Sequence, residues 1–367
     1  MHRLRVSAVW SGLALAMMLV ACSRQAPVVS SHPASDFILG MEFDLESVVT
    51  AAPGSDNWAI TWARDGHQYT TWGDGGGFGG NNQRGRVSMG VARIEGPIDN
   101  MHAVNVWGGY QALAEAQFAG KSYGILALDD TLWMWRTGDG SDDSAFSSQE
   151  LFFSEDKGLS WQAAGVRFDA GDFRDSSAFF APTFLQFGAG YRGSRDEYVY
   201  MYAPDNTLDV WDVQVPGEIS LMRVPREAIG SRARYEFFAG FDAQNQPLWS
   251  PDPDRRQGVF VDVNGVMRTS VSYNAGLGRF LLITQQISRF RERGYIGIYE
   301  SVNPWGPWRT VLFASPWRLG LQTGEKSVYW NFSNKWNSAD GKRFALVYTG
   351  PGADNFGVVQ GRFILAD

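Results

Sequence analysis

The chain has 367 residues, 42 of them glycine, and its 15 Trp, 13 Tyr and 24 Phe make it rich in aromatic side chains. A single cysteine excludes a disulfide framework and a thiolate metal site in the exported part. The net charge of −7, with no run of Lys or Arg, argues against nucleic acid as a partner, because neutralising phosphates takes a basic face.

Residues 1–21 read as a signal peptide. His2, Arg3 and Arg5 form a basic start and residues 6–20 are apolar, too short and wrongly flanked for a transmembrane helix. The segment ends Leu19-Val20-Ala21-Cys22, which resembles a bacterial lipoprotein box. Cleavage before Cys22 and lipidation of that cysteine are expected, anchoring the protein to a membrane without spanning it. Ser23, in place of Asp, favours the outer membrane by resemblance to Gram-negative lipoproteins. Residues 22–40, with Pro27, Pro33 and several serines, read as a flexible tether, and residues 41–367 as one domain. Loss of Arg3 and Arg5 leaves 30 basic against 39 acidic side chains, a charge of −9.

The first element of the domain is a hairpin within residues 55–77. Asp65-Gly66 is a turn signal between the β-favouring runs Ile60-Thr61-Trp62 and Tyr69-Thr70-Thr71-Trp72. Asp56 and Asp74 then lie at its two open ends. A three-residue loop sets Ala63 opposite His67 and Asp56 opposite Asp74; a two-residue loop turns the carboxylates to opposite faces. Two nearby carboxylates repel and split in proton affinity, which suits a general acid working beside a nucleophile. Asp before a strand and Asp before glycines are also ordinary turn residues. Trp58, Trp62 and Trp72 flank the pair, and the glycine-rich stretch 75–80 follows, which would let backbone approach a ligand. Aromatic faces beside carboxylates point to a sugar site.

Further strands are expected at 122–128, 132–135, 198–202, 259–263, 267–273, 280–285, 295–300 and 344–348. The turn signals between them include Asp129-Asp130, Asn264-Gly265 and Asp340-Gly341. Such spacing means a sandwich, barrel or propeller. Ser154-x-Asp156-x-Gly158-x-x-Trp161 fits the Asp box, a turn between outer propeller strands. Blades of about 65 residues would make five, within the range known for propellers. The expected fold is therefore an all-β, five-bladed β-propeller. Only His67 and His102 lie beyond the tether, without the spacing of a zinc site. No Gly-x-Ser-x-Gly elbow is present, and the glycine-rich stretch lacks the Lys-Ser/Thr of a phosphate loop. Tyr299-Glu300 and Tyr235-Glu236 are ordinary strand pairs more often than the Tyr-Glu pair of a sialidase.

Asp56-Asn57-Trp58, Thr61-Trp62-Ala63, Asp65-Gly66 and Trp72-Gly73-Asp74-Gly75 together resemble the opening signature of domain-of-unknown-function 4185. Arg223-Val224-Pro225, Tyr235-Glu236-Phe237-Phe238, Ser272-Tyr273-Asn274 and Trp305-Gly306-Pro307-Trp308 resemble later segments of it. That family includes endo-D-arabinanases of glycoside hydrolase family 183, five-bladed propellers that cleave α-linked D-arabinofuranose chains. The resemblance implies Asp56 as nucleophile and Asp74 as general acid/base. Asn57, Trp58, Tyr273 and Asn274 are the candidate substrate-binding residues, and Glu300, Glu325, Lys326 and Trp330 could line a channel mouth. Hydrogen bonds from turn amides and Asn57 are expected to keep Asp56 ionised, and apolar rings to keep Asp74 protonated. No cofactor and no metal are expected, and the chain is expected to act as a monomer on a polysaccharide. The alternative is a non-catalytic glycan-binding lipoprotein on the same propeller.

Overall fold

The computed structural model describes residues 29–138, 146, 148–174, 178–207, 211–286, 295–314 and 327–367. The signal segment, Cys22, Glu325 and Lys326 lie outside the described residues. Strand β1 (Ile38–Ala51) opens the fold. An antiparallel sheet follows from β2 (Asp56–Trp62), β3 (Gln68–Gly73), β4 (Met89–Glu95) and β5 (His102–Trp107). The next holds β6 (Lys121–Leu128), β7 (Thr131–Thr137), β8 (Ser148–Ser154) and β9 (Gln162–Asp169). Then come β10 (Ala178–Phe179), β11 (Thr183–Gln186), β12 (Tyr198–Asn206), β13 (Glu218–Pro225), β14 (Glu236–Phe241), β15 (Pro247–Ser250) and β16 (Gly258–Val261). The chain continues through β17 (Arg268–Asn274), β18 (Arg279–Gln286), β19 (Tyr295–Ser301) and β20 (Arg309–Ala314). It finishes with β21 (Val328–Phe332), β22 (Arg343–Thr349) and β23 (Phe356–Leu365), whose last strand pairs with β1.

β10 to β20 form one continuous sheet only because β11 and β17 pair in parallel, Leu185 beside Val271. On either side of that seam the pairing is antiparallel. β2, β6, β11, β17 and β21 touch one another in cyclic order, each against the next and β21 back against β2. Ala59, Ile125, Thr183, Ser270 and Asn331, one from each, line a narrow space on the axis. This radial arrangement is a β-propeller-like fold, so the expected all-β class holds.

The core lies between sheets. Met89, Val91 and Trp107 of the β2–β5 sheet pack with Met134, Phe152 and Trp161 of the β6–β9 sheet. Trp58, Trp72 and Ile94 pack with Phe356 and Val358 of the closing sheet. Trp161 is the tryptophan of the Asp box, and the turn is built as the motif requires. The Ser154 hydroxyl donates to Asp156 at 2.7 Å and accepts from the Gly158 amide at 2.8 Å, while the Ser160 amide donates to Asp156 at 2.9 Å. Burial alone would raise the Asp156 carboxyl, but the hydrogen bonds from Ser160 and Ser154 outweigh it and hold it below its ordinary value. A lowered folded value means stability that is present above the unfolded value and is lost as the pH falls through the folded one. Ser154→Ala is expected to cost about 1–2 kcal/mol, read by denaturant unfolding at pH 7. The difference should shrink as the pH falls through the lowered folded value, where the carboxyl takes up its proton in the wild type as well. An equal loss at every pH would mean that the hydroxyl matters without its aspartate.

The expected tether is shorter than residues 22–40. The Ser30 and Thr310 hydroxyls are 2.7 Å apart, the Thr310 amide donates to the Pro33 carbonyl at 2.7 Å, and the Ser35 amide donates to Thr310 at 2.8 Å. The His32 ring stacks on Phe260 at 4.2 Å. Proline and serine suggested a loose segment, but backbone pairing along Thr310 fixes this stretch against the β20 edge.

Candidate functional site

The hairpin turn is the three-residue form. The Ala63 amide donates to the His67 carbonyl at 2.9 Å, and Trp62 pairs with Gln68. The same register runs to Ala59 opposite Thr71, then shifts by one through a bulge, so Asp56 pairs with Gly73 and not with Asp74. Asn57, in the bulge, has a φ of 64°. Bulges re-aim side chains beside functional sites. Here the bulge lays Asp56 across Gly73, where an added Cβ would stand 3.0 Å from Asp56 Oδ1. Glycine at 73 gives the carboxylate its place next to Asp74.

The other members come from neighbouring inner strands. Lys121, the first residue of β6, donates from Nζ to Asp74 Oδ1 at 2.6 Å. Arg86, on the loop after β3, brings its guanidinium to 3.3 Å from the same oxygen. The Tyr123 phenol is pushed up by burial first and then by the negative charges of Asp56 and, more weakly, Asp74, against the opposing pull of Arg268 and a hydrogen bond with Trp211. Tyr329, the second residue of β21 with a φ of 58°, is likewise pushed up, by burial and then by Asp56. Arg268, the first residue of β17, lies with its charged end over the Tyr123 ring at 5.3 Å and the Tyr329 ring at 4.8 Å. It is 2% exposed. Burial pushes its guanidinium down to about 10, against the opposing pull of Tyr329, Tyr123 and Asp56. It therefore stays protonated at neutral pH.

Asp56, Lys121, Arg268 and Tyr329 are each the first or second residue of an inner strand, and Tyr123 is the third of its own. Together with Asp74, which directly follows β3, they gather at one end of the axis. Sequence reading missed Lys121, Tyr123, Arg268 and Tyr329. The usable signal was a charged or phenolic residue at the entry of an otherwise apolar inner strand, as in Lys121-Ser122-Tyr123 before Gly124-Ile125-Leu126.

Several expectations are overturned. Trp58 is fully buried and packs against Trp72, Phe78 and Phe356, so it is core between sheets and offers no face to a sugar. Asn57 is buried and donates to the Ser122 carbonyl at 2.6 Å, and its role is to shape the bulge. Tyr273 and Asn274 end the strand that Arg268 begins. Six residues of strand span roughly 20 Å, which puts them at the opposite end of the axis. There Asn274 ties down the Gly341 carbonyl at 2.8 Å and the Leu277 amide at 3.1 Å. The glycine-rich stretch packs on its own loop: a Cβ on Gly76 would stand 2.0 Å from the Arg84 carbonyl oxygen. Glu300 is buried against Arg279 and the Ser35 hydroxyl, each at 2.9 Å, and Trp330 stacks on Tyr348 at 5.0 Å; both are internal. Asp74 meets Lys121 and Arg86, where apolar rings had been expected.

Chemically, this end of the axis holds two carboxylates, two phenols and three cationic side chains, with Arg268, Tyr123 and Tyr329 buried. Among the described residues no group of three or more His, Cys, Asp or Glu is arranged to hold a metal ion.

No family model matches the chain, and no curated protein is similar to it. Solved structures are. A presumed hydrolase from Bacteroides ovatus ATCC 8483 aligns at 12% identity over 84% of this chain and 85% of its own, with a TM-score of 0.51. The catalytic domain of the Coprinopsis cinerea family-62 α-L-arabinofuranosidase aligns at 9% identity over 92% and 98%, with a TM-score of 0.46. The Penicillium chrysogenum α-L-arabinanase complexed with arabinobiose aligns at 10% over 90% and 98%, with a TM-score of 0.43. At these identities the likeness concerns the fold alone.

Proposed function

We propose that the chain is a retaining glycoside hydrolase that cuts within D-arabinofuranosyl chains, on a propeller of five blades, exported and anchored through Cys22. The observation that carries the reading is that the bulge pairs Asp56 with Gly73, directly before Asp74, so that the two carboxylates share one end of the hairpin. The blade count is supported by the cyclic contacts of β2, β6, β11, β17 and β21. The family resemblance supports the substrate.

In this reading Asp56 attacks the anomeric carbon as Asp74 gives a proton to the leaving oxygen. Asp74 then takes a proton from the water that frees the sugar. Asp74 is the more suitable proton carrier because its side chain is 36% exposed, within reach of both substrate and water. Retaining enzymes hold their two carboxyl groups about 5–5.5 Å apart.

Purified protein incubated with mycobacterial arabinogalactan or lipoarabinomannan is expected to release arabino-oligosaccharides whose new reducing ends first appear in the configuration of the substrate. Silence on every D-arabinan tried would remove the substrate assignment. Inverted product would remove the double displacement. Of the three tryptophans that flank the pair, Trp58 and Trp72 are buried, whereas Trp62 is half-buried and lines a cavity with Tyr273 and Asn274, so a purely binding role remains the alternative that absent turnover would favour.

A further inference from the structure

The inner strands have a second mouth, at the end of the axis away from the aspartates. A cavity of about 290 Å³ opens there. Trp62 ends β2, Phe187 directly follows β11, Tyr273 is the last but one residue of β17, and Asn334, Lys335 and Asn337 stand on the loop after β21. Six residues of strand set this mouth roughly 20 Å from Asp56. Trp62 and Tyr273 are half-buried. The Trp62 indole nitrogen is sealed from the surface, so the ring presents carbon to the cavity. Tyr273 is braced by Phe187 at 5.3 Å and Phe280 at 4.9 Å. Three polar groups here are unspent. Asn334 uses its amide nitrogen on the Tyr273 carbonyl at 2.9 Å, and its side-chain oxygen has no bond among the described residues. Asn337 uses its oxygen on the Ala345 amide at 3.2 Å, and its amide nitrogen is likewise open. Lys335 has no ion pair among the described residues, and burial pushes its ammonium below the ordinary value against the pull of Asp65 and Glu95.

We propose that this mouth is a second, non-catalytic saccharide site, which takes one neutral glycosyl unit of a polymer chain against Trp62 and Tyr273. Its make-up has the general form of a small-ligand site, mostly apolar walls with a few convergent polar groups. The volume lies at the small end for such sites and suits one unit better than a length of chain. The apolar C–H face of a sugar ring loses water against aromatic carbon. The polar groups select the charge of the ligand. Asn334 offers an acceptor, whereas Asn337 and Lys335 offer donors. A hydroxyl both donates and accepts, so a sugar can satisfy all three. A carboxylate or phosphate only accepts, and would leave the Asn334 oxygen facing another acceptor. Asp and Glu are absent from the lining among the described residues, which leaves a divalent cation without its usual ligands. The proposal rests on the glycosidase reading only for its choice of polymer, D-arabinan. A chain held at this mouth raises the effective concentration of its neighbours at the aspartates.

Asp56→Asn protein carrying fluorotryptophan reads the site without turnover. The Trp62 fluorine resonance is identified by its loss in Trp62→Phe. D-Arabino-oligosaccharides are expected to shift that resonance saturably, in Asp56→Asn and in the double variant with Asp74→Asn alike. Lys335→Ala in the same background should weaken the titration about 2- to 10-fold, the worth of one hydrogen bond. A Trp62 resonance that stays fixed with every neutral oligosaccharide overturns the proposal, and so does a shift given only by uronates or sugar phosphates. Should Trp62→Phe not fold, calorimetry on Asp56→Asn gives the answer. Two sites per chain are expected, one of them weakened by Lys335→Ala, and an isotherm that Lys335→Ala leaves unchanged overturns the proposal. A shift with galacto- or gluco-oligosaccharides and none with D-arabinan supports the site and removes the polymer, so failure of the glycosidase reading shows apart from failure of the site.

Discussion

Asp56→Asn and Asp74→Asn are each expected to lose at least about 10³-fold in turnover on D-arabinan, the scale on which removal of a nucleophile or a proton donor is felt. Both should keep the fold, because neither side chain belongs to the hydrophobic core. The alanine variants separate the roles. An aryl arabinofuranoside with a good leaving group needs no proton, so it should restore Asp74→Ala and leave Asp56→Ala inactive. Azide should then accelerate Asp74→Ala by replacing the second water, giving a glycosyl azide of retained configuration. Lys121 and Arg86 against Asp74 give this experiment its edge, since neither is what a simple apolar acid site would hold. If the activated substrate instead restores Asp56→Ala, the two aspartates exchange roles.

Trp58→Ala is expected to cost about 3–5 kcal/mol, the penalty for emptying a large aromatic from a core. The indole is fully buried, lies 5.1 Å from the Phe356 ring and donates to the Asn355 carbonyl at 3.1 Å. The loss should appear in denaturant unfolding and in Tm, with kcat/KM on the surviving folded protein reduced far less than by either aspartate variant. A stable Trp58→Ala protein with weakened substrate binding would return Trp58 to the role suggested by its place beside Asp56 in the sequence.

Local features were legible in the chain. The Asp65-Gly66 turn was legible, though the choice between its two loop lengths came only with the structure; the Asp box formed between β8 and β9, and the run 267–273 anticipated β17 within a residue. These depend on neighbours a few residues apart. The site was half legible. Asp56 and Asp74 share one hairpin, whereas Tyr123, Arg268 and Tyr329 arrive from strands that meet only when the ring closes. The bulge at Asn57 was hidden, because a one-residue register shift leaves no mark in an alternating pattern. Trp58 was misread because a tryptophan beside a carboxylate looks the same in sequence whether it faces solvent or the neighbouring sheet. Tyr273 and Asn274 were misplaced by treating a strand as a point, although its two ends open onto different faces.

The pairing of β1 with β23, Glu42 beside Arg362, joins segments more than three hundred positions apart. Every other inter-strand pairing in that sheet is made within the last forty residues. The chain can therefore assemble most of its sheets in order as it emerges, but not the circle. Until β23 arrives, β1 has no paired strand among the described residues, and the β21 face that carries Tyr329 is not held against β2 by a finished sheet. Closing so long a loop costs entropy that no earlier contact repays, which makes the final docking the slow step. The same latch works in reverse. Thermal opening is expected to begin by peeling β1 from β23, a seam remote in sequence from the aspartates.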